Sequence, residues 1–215
     1  MTALPYVEGG FHALISDSPW KYQDTGSRAS PDYADRSMTV SELCAMPIAA
    51  LMADDALAVT WVTSSHCDLE PVGGRLIDGI SAGVRVLHAW GFRYRAMGVW
   101  VKTKKPDSIA ELLAEPMAPL ELLHASTSRG MGHYVRHAHE IFLIGRRGRF
   151  SIPTEHRDSS VFFAPRPPKR PGQRRAHSTK PDFLHRWIDR FVSGPRLELF
   201  SREQRDGWSA YGDEL

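Results

Sequence analysis

Five short apolar runs recur along the chain, and helical or turn-rich stretches separate them. The runs cover residues 11–16, 56–63, 94–102, 138–148 and 196–201. Their apolar and β-branched content is typical of buried strands. Because strands that alternate with helices build a mostly parallel sheet with helices on both faces, the pattern predicts an α/β fold.

Two of the intervening stretches predict helices, and a third predicts an insertion. Residues 68–90 repeat apolar side chains every three or four positions, and Gly91 is a plausible stop. Residues 180–194 predict the clearest helix, since Pro181 lies in the first turn, where a missing N–H costs nothing. Residues 103–130 are interrupted by prolines, and we interpret them as an insertion or lid with short helical pieces.

The composition is that of a globular protein, with 42% hydrophobic and 24% charged residues in 215. This length predicts one domain over residues 1–215. A net charge of +2 permits a nucleic-acid partner without requiring one. Cys44 and Cys67 lack metal-like spacing and predict buried thiols in a reducing compartment. With no leader pattern and no apolar run near the ~20 residues of a membrane helix, we expect a cytoplasmic protein without membrane contact.

The stretch "ISDSPWKY", residues 15–22, places a carboxylate, a proline and a tryptophan where the first strand ends. Asp and Pro disfavour a continued strand, so stability alone does not explain them. Ligands of α/β sheets bind beyond the carboxyl ends of the strands. Asp17 and the stretch just after Phe200 both lie at such ends, so both are candidates for a binding site.

These residue types suit a reaction on an aromatic amine such as the exocyclic nitrogen of adenine. Acceptors that pull on both N–H groups turn the nitrogen lone pair out of the ring plane, and fixed placement lowers the barrier. Asp17 offers a carboxylate, and Ser18 offers a carbonyl that Pro19 holds extended. Trp20 offers a ring face, and base stacking contributes about 1–3 kcal/mol in single-strand binders.

Asp17-Ser18-Pro19-Trp20 resembles the Asp-Pro-Pro-Trp motif of the adenine-N6 methyltransferases whose best-known member writes N6-methyladenosine in messenger RNA. Bacterial and phage relatives act on DNA. The resemblance continues in order over nearly the whole chain, through the following segments: "YADRSMTVSEL", "LAVTWVTSSH", "WGFRYRAMGVWVKTKK", "GMGHYVRHAHEIFLIGRRG", "HSTKPDFLHRWIDRFVSGPRLELFSRE" and "DGWSAYGDEL".

The resemblance implies a Rossmann-like methyltransferase fold with S-adenosylmethionine as the methyl donor. It implies that Asp17 and the Ser18 carbonyl hold the target amine, next to Pro19, and that Trp20 stacks on the base. The implied donor contacts are Asp17, Lys180, Glu198, Phe200, Arg202 and Asp213. The implied substrate contacts are Trp20, Lys102 and Tyr33. Of these, Tyr33 would gate the pocket.

The chain departs from the family pattern at a few positions. Ser18 replaces the first Pro of the motif, which keeps the carbonyl but adds backbone freedom. Gln204 and Arg205 stand where some relatives have His-Asn, and Asp213-Glu214 stands for Asn-Gln. These changes affect the expected donor contacts near the C-terminus.

Residues 166–175, "RPPKRPGQRR", carry five basic side chains and no acid. A solvated loop and an arm that contacts phosphates explain this stretch about equally well. In the second case Arg166, Lys169 and Arg170 bind the substrate backbone, and Arg146, Arg147 and Arg149 extend the surface.

Three histidines within seven residues, His133, His137 and His139, raise the question of a metal site. No cysteine or acidic ligand is well placed beside them, so we predict no metal.

The sequence therefore predicts an S-adenosylmethionine-dependent adenine-N6 methyltransferase that acts on DNA and belongs to the bacterial or phage branch. The same chemistry on RNA is the first alternative. A catalytically inactive nucleic-acid-binding partner subunit is the second, and a methyltransferase for a small molecule or protein amide is the third. The oligomeric state stays open, with a homodimer or a partner subunit among the options.

Overall fold

The computed structural model describes residues 3–21, 37–63, 66–69, 76–114, 116–130, 134–168 and 179–212, with the backbone alone at 66–69 and 76–77. Six residues named above lie outside these ranges: Tyr33, His133, Lys169, Arg170, Asp213 and Glu214.

Strands and helices alternate over most of the described chain. The strands are β1 (Phe11–Ser16), β2 (Met52–Val62), β3 (His66–Leu69), β4 (Leu76–Asp78), β5 (Arg93–Thr103), β6 (His139–Arg147), β7 (Val161–Pro165), β8 (Arg196–Leu199) and β9 (Ser209–Tyr211). The helices are α1 (Val40–Ala45), α2 (Gly79–Ala89), α3 (Pro106–Leu113), α4 (Pro119–Ala125) and α5 (Phe183–Asp189). Short 3-10 turns occupy Ile48–Ala50 and Thr154–His156.

Seven strands form one sheet in the order β7-β5-β6-β2-β1-β8-β9, and β3 pairs with β4 in a separate ribbon. Four of the six neighbouring pairs in the large sheet are parallel: β1–β2, β1–β8, β5–β7 and β8–β9. β6 runs antiparallel to both β2 and β5. The predicted α/β fold with a mostly parallel sheet is confirmed, and it is consistent with a Rossmann-like fold.

Helices cover both faces of the sheet, as predicted. On one face, Leu14 and Leu197 belong to a core cluster with Leu43 of α1 and Val86 of α2. On the other face, alternate positions of the same strands belong to a second cluster with the aromatic residues of α5; its members include Ile15, Val59, Phe142, Phe183 and Trp187. The alternation of side chains along each strand supplies the two cores.

Two predicted helices are shorter in the structure than the sequence suggested. The helix predicted over 68–90 begins only at Gly79, because Asp78 accepts a hydrogen bond from the Ser81 N–H (2.9 Å) and caps the helix there. Part of the preceding stretch forms β3 and β4. The helix predicted over 180–194 spans Phe183–Asp189, and the Arg190 N–H and the Phe191 N–H bond to carbonyls three residues back, as at a tightened helix end.

The strand directions gather several polar residues at one edge of the sheet. Parallel β1 and β8 both end there, at Ser16 and Leu199. Because β6 is antiparallel to its neighbours, its first residues lie at the same edge. Glu140 is therefore next to the end of β5. The chain passes from β1 to β2 on one side and returns to β8 on the other side, so the strand order reverses between β1 and β8. Such a reversal is the usual place for a ligand in an open α/β sheet.

Candidate active site

The loop after β1 is held by hydrogen bonds of its own. The Ser18 carbonyl accepts the Trp20 N–H at 2.9 Å, and the Pro19 carbonyl accepts the Met38 N–H at 2.7 Å. The Ser18 hydroxyl lies 2.8 Å from the Ser16 hydroxyl, and both side chains are buried. This pair restrains the position where the family motif has its first proline. The Ser18 carbonyl keeps one lone pair for another donor.

Trp20 is part of the buried core. Its side chain is 3% exposed, and its Nε1–H donates to the Trp61 carbonyl at 3.1 Å. It packs in the cluster with Leu43 of α1. This burial does not favour the predicted stacking of the Trp20 ring on a base, since stacking needs a free ring face, and that role stays a prediction. Trp20 anchors the loop to the sheet.

Four charged side chains form an alternating row across the edge of the sheet. Lys180 Nζ lies 2.9 Å and 3.0 Å from the two carboxylate oxygens of Asp17. The same nitrogen lies 3.2 Å from Glu140 Oε2, and the other Glu140 oxygen lies 2.7 Å from Lys102 Nζ. The row of Asp17, Lys180, Glu140 and Lys102 therefore carries two positive and two negative charges and is balanced.

Burial and pairing act in opposite directions on the pKa values in this row. Burial alone would lower the pKa of Lys180, but Asp17 and Glu140 outweigh it and raise that pKa above its usual range. Burial would likewise raise the pKa of Glu140, but Lys180 and Lys102 hold it below the usual range. At neutral pH Lys180 is therefore protonated and Glu140 is ionised.

Two tryptophan rings pack against the lysines of the charged row. Lys180 Nζ lies 5.6 Å from the centroid of the Trp61 ring, and Lys102 Nζ lies 5.4 Å from that of the Trp100 ring. Both rings are almost fully buried, and they meet edge to face. Cation–π contacts of this kind fix the ammonium groups in addition to the ion pairs.

A second polar group lies on β8 and α5. Glu198 faces α5, where its Oε2 is 3.0 Å from His185 Nε2 and 3.5 Å from Arg205 Nε. None of these three atoms finds an aligned hydrogen-bond partner within the described part of the chain. Burial would raise the pKa of Glu198, but His185 and Arg205 hold it below the usual range.

Phe200, Arg202 and Arg166 also lie at this edge, each just beyond a strand. Phe200 follows β8 with a φ of 60°, a left-handed conformation that is strained for a bulky residue and that clusters at ligand sites. Arg202 lies two residues further on, in the same loop. Arg166 follows β7 and is exposed, as a phosphate contact requires.

The predicted insertion begins beside Lys102 and returns to it. The Lys102 carbonyl accepts the Ser128 N–H at 2.6 Å, and the Lys104 N–H donates to the Ser126 carbonyl at 2.8 Å. Between these bonds lie α3 and α4, which confirm the predicted short helical pieces. The insertion is thus attached next to the charged row, and Leu113, Leu120 and Leu123 on it are exposed.

The family model MT-A70 matches residues 11–214, which include every strand of the sheet and the whole charged row. The chain belongs to the MT-A70 family. The family's methyltransferases use S-adenosylmethionine as methyl donor, and their fold is the one seen here.

Two curated MT-A70 relatives align over nearly all of the chain. One is the mouse (Mus musculus) protein named N(6)-adenine-specific methyltransferase METTL4, with 28% identity over 95% of this chain and 37% of the relative. The other is the protein of Pyricularia oryzae named N6-methyladenosine RNA methyltransferase MTA1, with 26% identity over 100% of this chain and 49% of the relative. The chain therefore spans less than half the length of either relative.

The residues at the β1–β8 reversal fit the MT-A70 methyl donor. Besides the unaligned atoms around Glu198, Thr179 Oγ1 is buried without a hydrogen-bond partner among the described residues, directly before Lys180. Buried polar atoms are normally paired, so unmatched ones call for a ligand, ion or water. A ligand with hydroxyl, amino and carboxylate groups, as S-adenosylmethionine has, supplies both donors and acceptors for them.

Sequence reasoning missed Glu140, His185 and Thr179. Glu140 lies in a segment that carries the family resemblance, and a lone acid at the start of the apolar run "HEIFLIG" signals a buried charge that needs partners. His185 lies among the apolar positions of α5, and its partner Glu198 is distant in sequence. Within the described residues no group of side chains has the arrangement of a metal site, and no helix is long and apolar enough to cross a membrane.

Proposed function

We propose that this domain transfers a methyl group from S-adenosylmethionine to the exocyclic N6 of adenine in nucleic acid, with DNA as the substrate. The observation that carries the proposal is the Asp17 carboxylate, which Lys180 fixes at the carboxyl end of β1 where the strand order reverses. Membership of the MT-A70 family and the printed activities of both relatives support the chemistry.

In this proposal Asp17 orients the amine rather than removing its proton at the outset. Each carboxylate oxygen accepts one hydrogen bond from Lys180 and keeps further acceptor capacity for an amine N–H. The Ser18 carbonyl has one lone pair left for the second N–H. Both acceptors are immobile, because ion pairs and hydrogen bonds hold them before substrate arrives, and this preorganisation lowers the barrier.

The donor supplies an electrophilic methyl group when it is bound. We propose that Lys180, Glu198, Phe200 and Arg202 hold it, with Asp17 at the boundary between donor and base, and that Asp213 completes the contacts outside the described residues. Thr179 and His185 join this set because their buried polar atoms lack aligned partners. Formation of the N6–methyl bond would break the S–methyl bond of the donor and release S-adenosylhomocysteine, and the amine, then acidic, would lose its proton toward Asp17 or water.

The nucleic acid is proposed to approach over Lys102 and Arg166 and the basic stretch 166–175, with Tyr33, Lys169 and Arg170 among its contacts. Contacts of this kind are independent of base sequence and sensitive to salt. A duplex target requires the adenine to be flipped out of the stack before it reaches Asp17. We keep the predictions of one domain, a cytoplasmic location and a bacterial or phage origin as proposals.

The test is transfer of labelled methyl from S-adenosylmethionine to duplex DNA, single-stranded DNA and RNA in parallel, followed by digestion and identification of the nucleoside. N6-methyldeoxyadenosine is expected, and Asp17→Asn should abolish it. Asp54→Asn is the matched control, because Asp54 is an exposed acid on β2 away from the site. Full activity of Asp17→Asn would contradict the proposed role of Asp17.

RNA is the second candidate substrate, because the Pyricularia oryzae relative is named as an RNA methyltransferase. N6-methyladenosine formed in RNA without transfer to either DNA would establish this candidate instead. Donor binding without transfer to any nucleic acid would favour the partner-subunit or non-nucleic-acid alternative.

A further inference from the structure

Four arginines line one cavity at the edge of the sheet opposite the charged row. The cavity has a volume of about 250 Å³, and its walls are Gly91, Arg93, Arg95, Arg146, Arg147 and Gly148. Arg93 and Arg95 belong to the start of β5, and Arg146 and Arg147 to the end of β6. We call these four side chains the arginine pocket. The sequence alone indicates for Arg146 and Arg147 only a surface shared with the basic loop.

Among the described residues, the pocket gathers more positive than negative charge. No ion pair joins Arg93, Arg95, Arg146 or Arg147 to an acid in the described residues. Asp55 lies beside Gly148, but its Oδ1 accepts the backbone N–H of Arg149 at 2.6 Å. Guanidinium groups that gather without an equal number of carboxylates repel one another, so the pocket suits an anion.

The register of the sheet brings two of these charges directly opposite each other. Arg93 pairs with Arg146 across the β5–β6 ladder, and like charges at such a position destabilise a sheet. Arg95 is the extra residue where the register shifts between Tyr94 and Ala96, and bulges of this kind re-aim a side chain. A bound anion would offset the repulsion that the free protein bears.

Two arginines of the pocket have hydrogen-bonding features that suit anion binding. Arg147 Nη1 donates to the Ala49 carbonyl at 2.5 Å, so its guanidinium is held in place. Arg146 Nε is buried and has no hydrogen-bond partner among the described residues. A fixed cation and an unsatisfied N–H are both donors that an anion can use, and guanidinium groups bind phosphate oxygens in a bidentate manner.

We propose that the arginine pocket binds a backbone phosphate of the nucleic acid whose adenine lies at Asp17. This inference rests on the proposed function for its choice of ligand. Glu140 and Arg146 are six residues apart on β6, which at ~3.4 Å per residue places the pocket about 20 Å from the charged row. At ~3.4 Å of axis per nucleotide, about six nucleotides span that distance.

The length dependence of binding tests this proposal without any methyl transfer. Fluorescence anisotropy would compare a strand of about 25 nucleotides with one of about five, each with a central adenine, because only the longer one spans the distance estimated from the strand rise. The variant is Arg93→Gln with Arg95→Gln, two exposed side chains whose loss leaves the core intact. The matched control is Arg157→Gln with Arg186→Gln, which removes the same charge from exposed arginines outside the pocket.

We expect the pocket variant to bind the long strand about tenfold more weakly, as the loss of a charged contact predicts, and to bind the short strand like the wild type. The slope of log K against log salt should fall by about 0.7 for each lost contact on a single strand. Unchanged affinity for the long strand, or an equal loss in the control variant, would overturn the proposal.

A second arm separates a nucleic-acid backbone from a small phosphate compound. Inorganic phosphate should raise the melting temperature of the wild type above that in chloride of equal ionic strength, and it should not do so in the pocket variant. A phosphate effect combined with equal binding of long strands by both proteins would assign the pocket to a small phosphate ligand and overturn the backbone proposal. Because binding is read without donor, failure of methyl transfer would count against the proposed function alone.

Discussion

Lys180 is the residue on which the charged row depends, since it is the shared partner of Asp17 and Glu140. Lys180→Met would leave two partly buried carboxylates facing each other. We expect the free energy of unfolding at pH 7 to fall by about 3–5 kcal/mol, the usual cost of removing one partner from a buried ion pair. Urea denaturation would measure it, with Lys105→Met at an exposed position as the control. A loss no larger than that of the control would mean that the row is solvated.

Glu140 predicts how stability depends on pH. The pKa of Glu140 is lower in the folded protein than in the unfolded chain. Between these two pKa values the folded state therefore binds fewer protons than the unfolded state. The contribution of Glu140 to stability is therefore complete above about pH 4.3 and is lost as the pH falls through the folded pKa. We expect Glu140→Gln to lose less stability than the wild type between neutral and acid pH in urea titrations. Equal losses in both proteins would contradict this.

A substitution of Trp20 distinguishes its role as an anchor of the loop from a role as a stacking surface for a base. Trp20→Phe keeps an aromatic ring but removes the Nε1–H that the Trp61 carbonyl accepts. Leaving that carbonyl unsatisfied should cost about 1–3 kcal/mol of unfolding free energy, while oligonucleotide affinity stays unchanged. The opposite result, weaker oligonucleotide binding at unchanged stability, would support the stacking role.

At the scale of elements, the packing of β5 beside β6 depends on a glycine. Gly98 lies opposite Phe142, and a Cβ at Gly98 would come within 2.1 Å of the Phe142 ring. Phe142 is packed between Trp61 and Phe183, so it has no room to retreat. Gly98→Ala should cost about 1–3 kcal/mol by overpacking, as measured by chemical denaturation. Adding Phe142→Leu should recover part of that loss, and strict additivity of the two changes would argue against the contact.

The sequence was a good guide to the strands of the large sheet and a poorer guide to helix boundaries. β1, β5, β6 and β8 lie within two residues of the predicted runs, because a buried strand needs an unbroken apolar stretch. The helix predicted over 68–90 was too long, because the same apolar spacing also suits a ribbon, and the Asp78 cap decides where the helix begins. Such a cap is a local hydrogen bond that periodicity does not reveal.

At the scale of the whole molecule, the site depends on residues that are distant in sequence. Motif resemblance identified Asp17 and Lys180, but only the antiparallel placement of β6 brings Glu140 between Lys180 and Lys102. The same topology carries Arg93 and Arg146 to the opposite edge. Strand order and direction therefore decide which charges meet, and neither follows from composition or spacing.

The reversal between β1 and β8 makes donor binding a property of the whole sheet, since the proposed contacts come from both strands. S-adenosylmethionine at about one hundred times its Kd should stabilise the wild type by about 2.7 kcal/mol and raise its melting temperature. Asp17→Asn on β1 and Glu198→Gln on β8 should each reduce that ligand-induced rise, measured relative to the variant's own midpoint. Asp54→Asn should retain it. A full rise in both site variants would place the donor elsewhere on the sheet, whereas loss in Glu198→Gln alone would confine the donor site to the β8 side of the reversal.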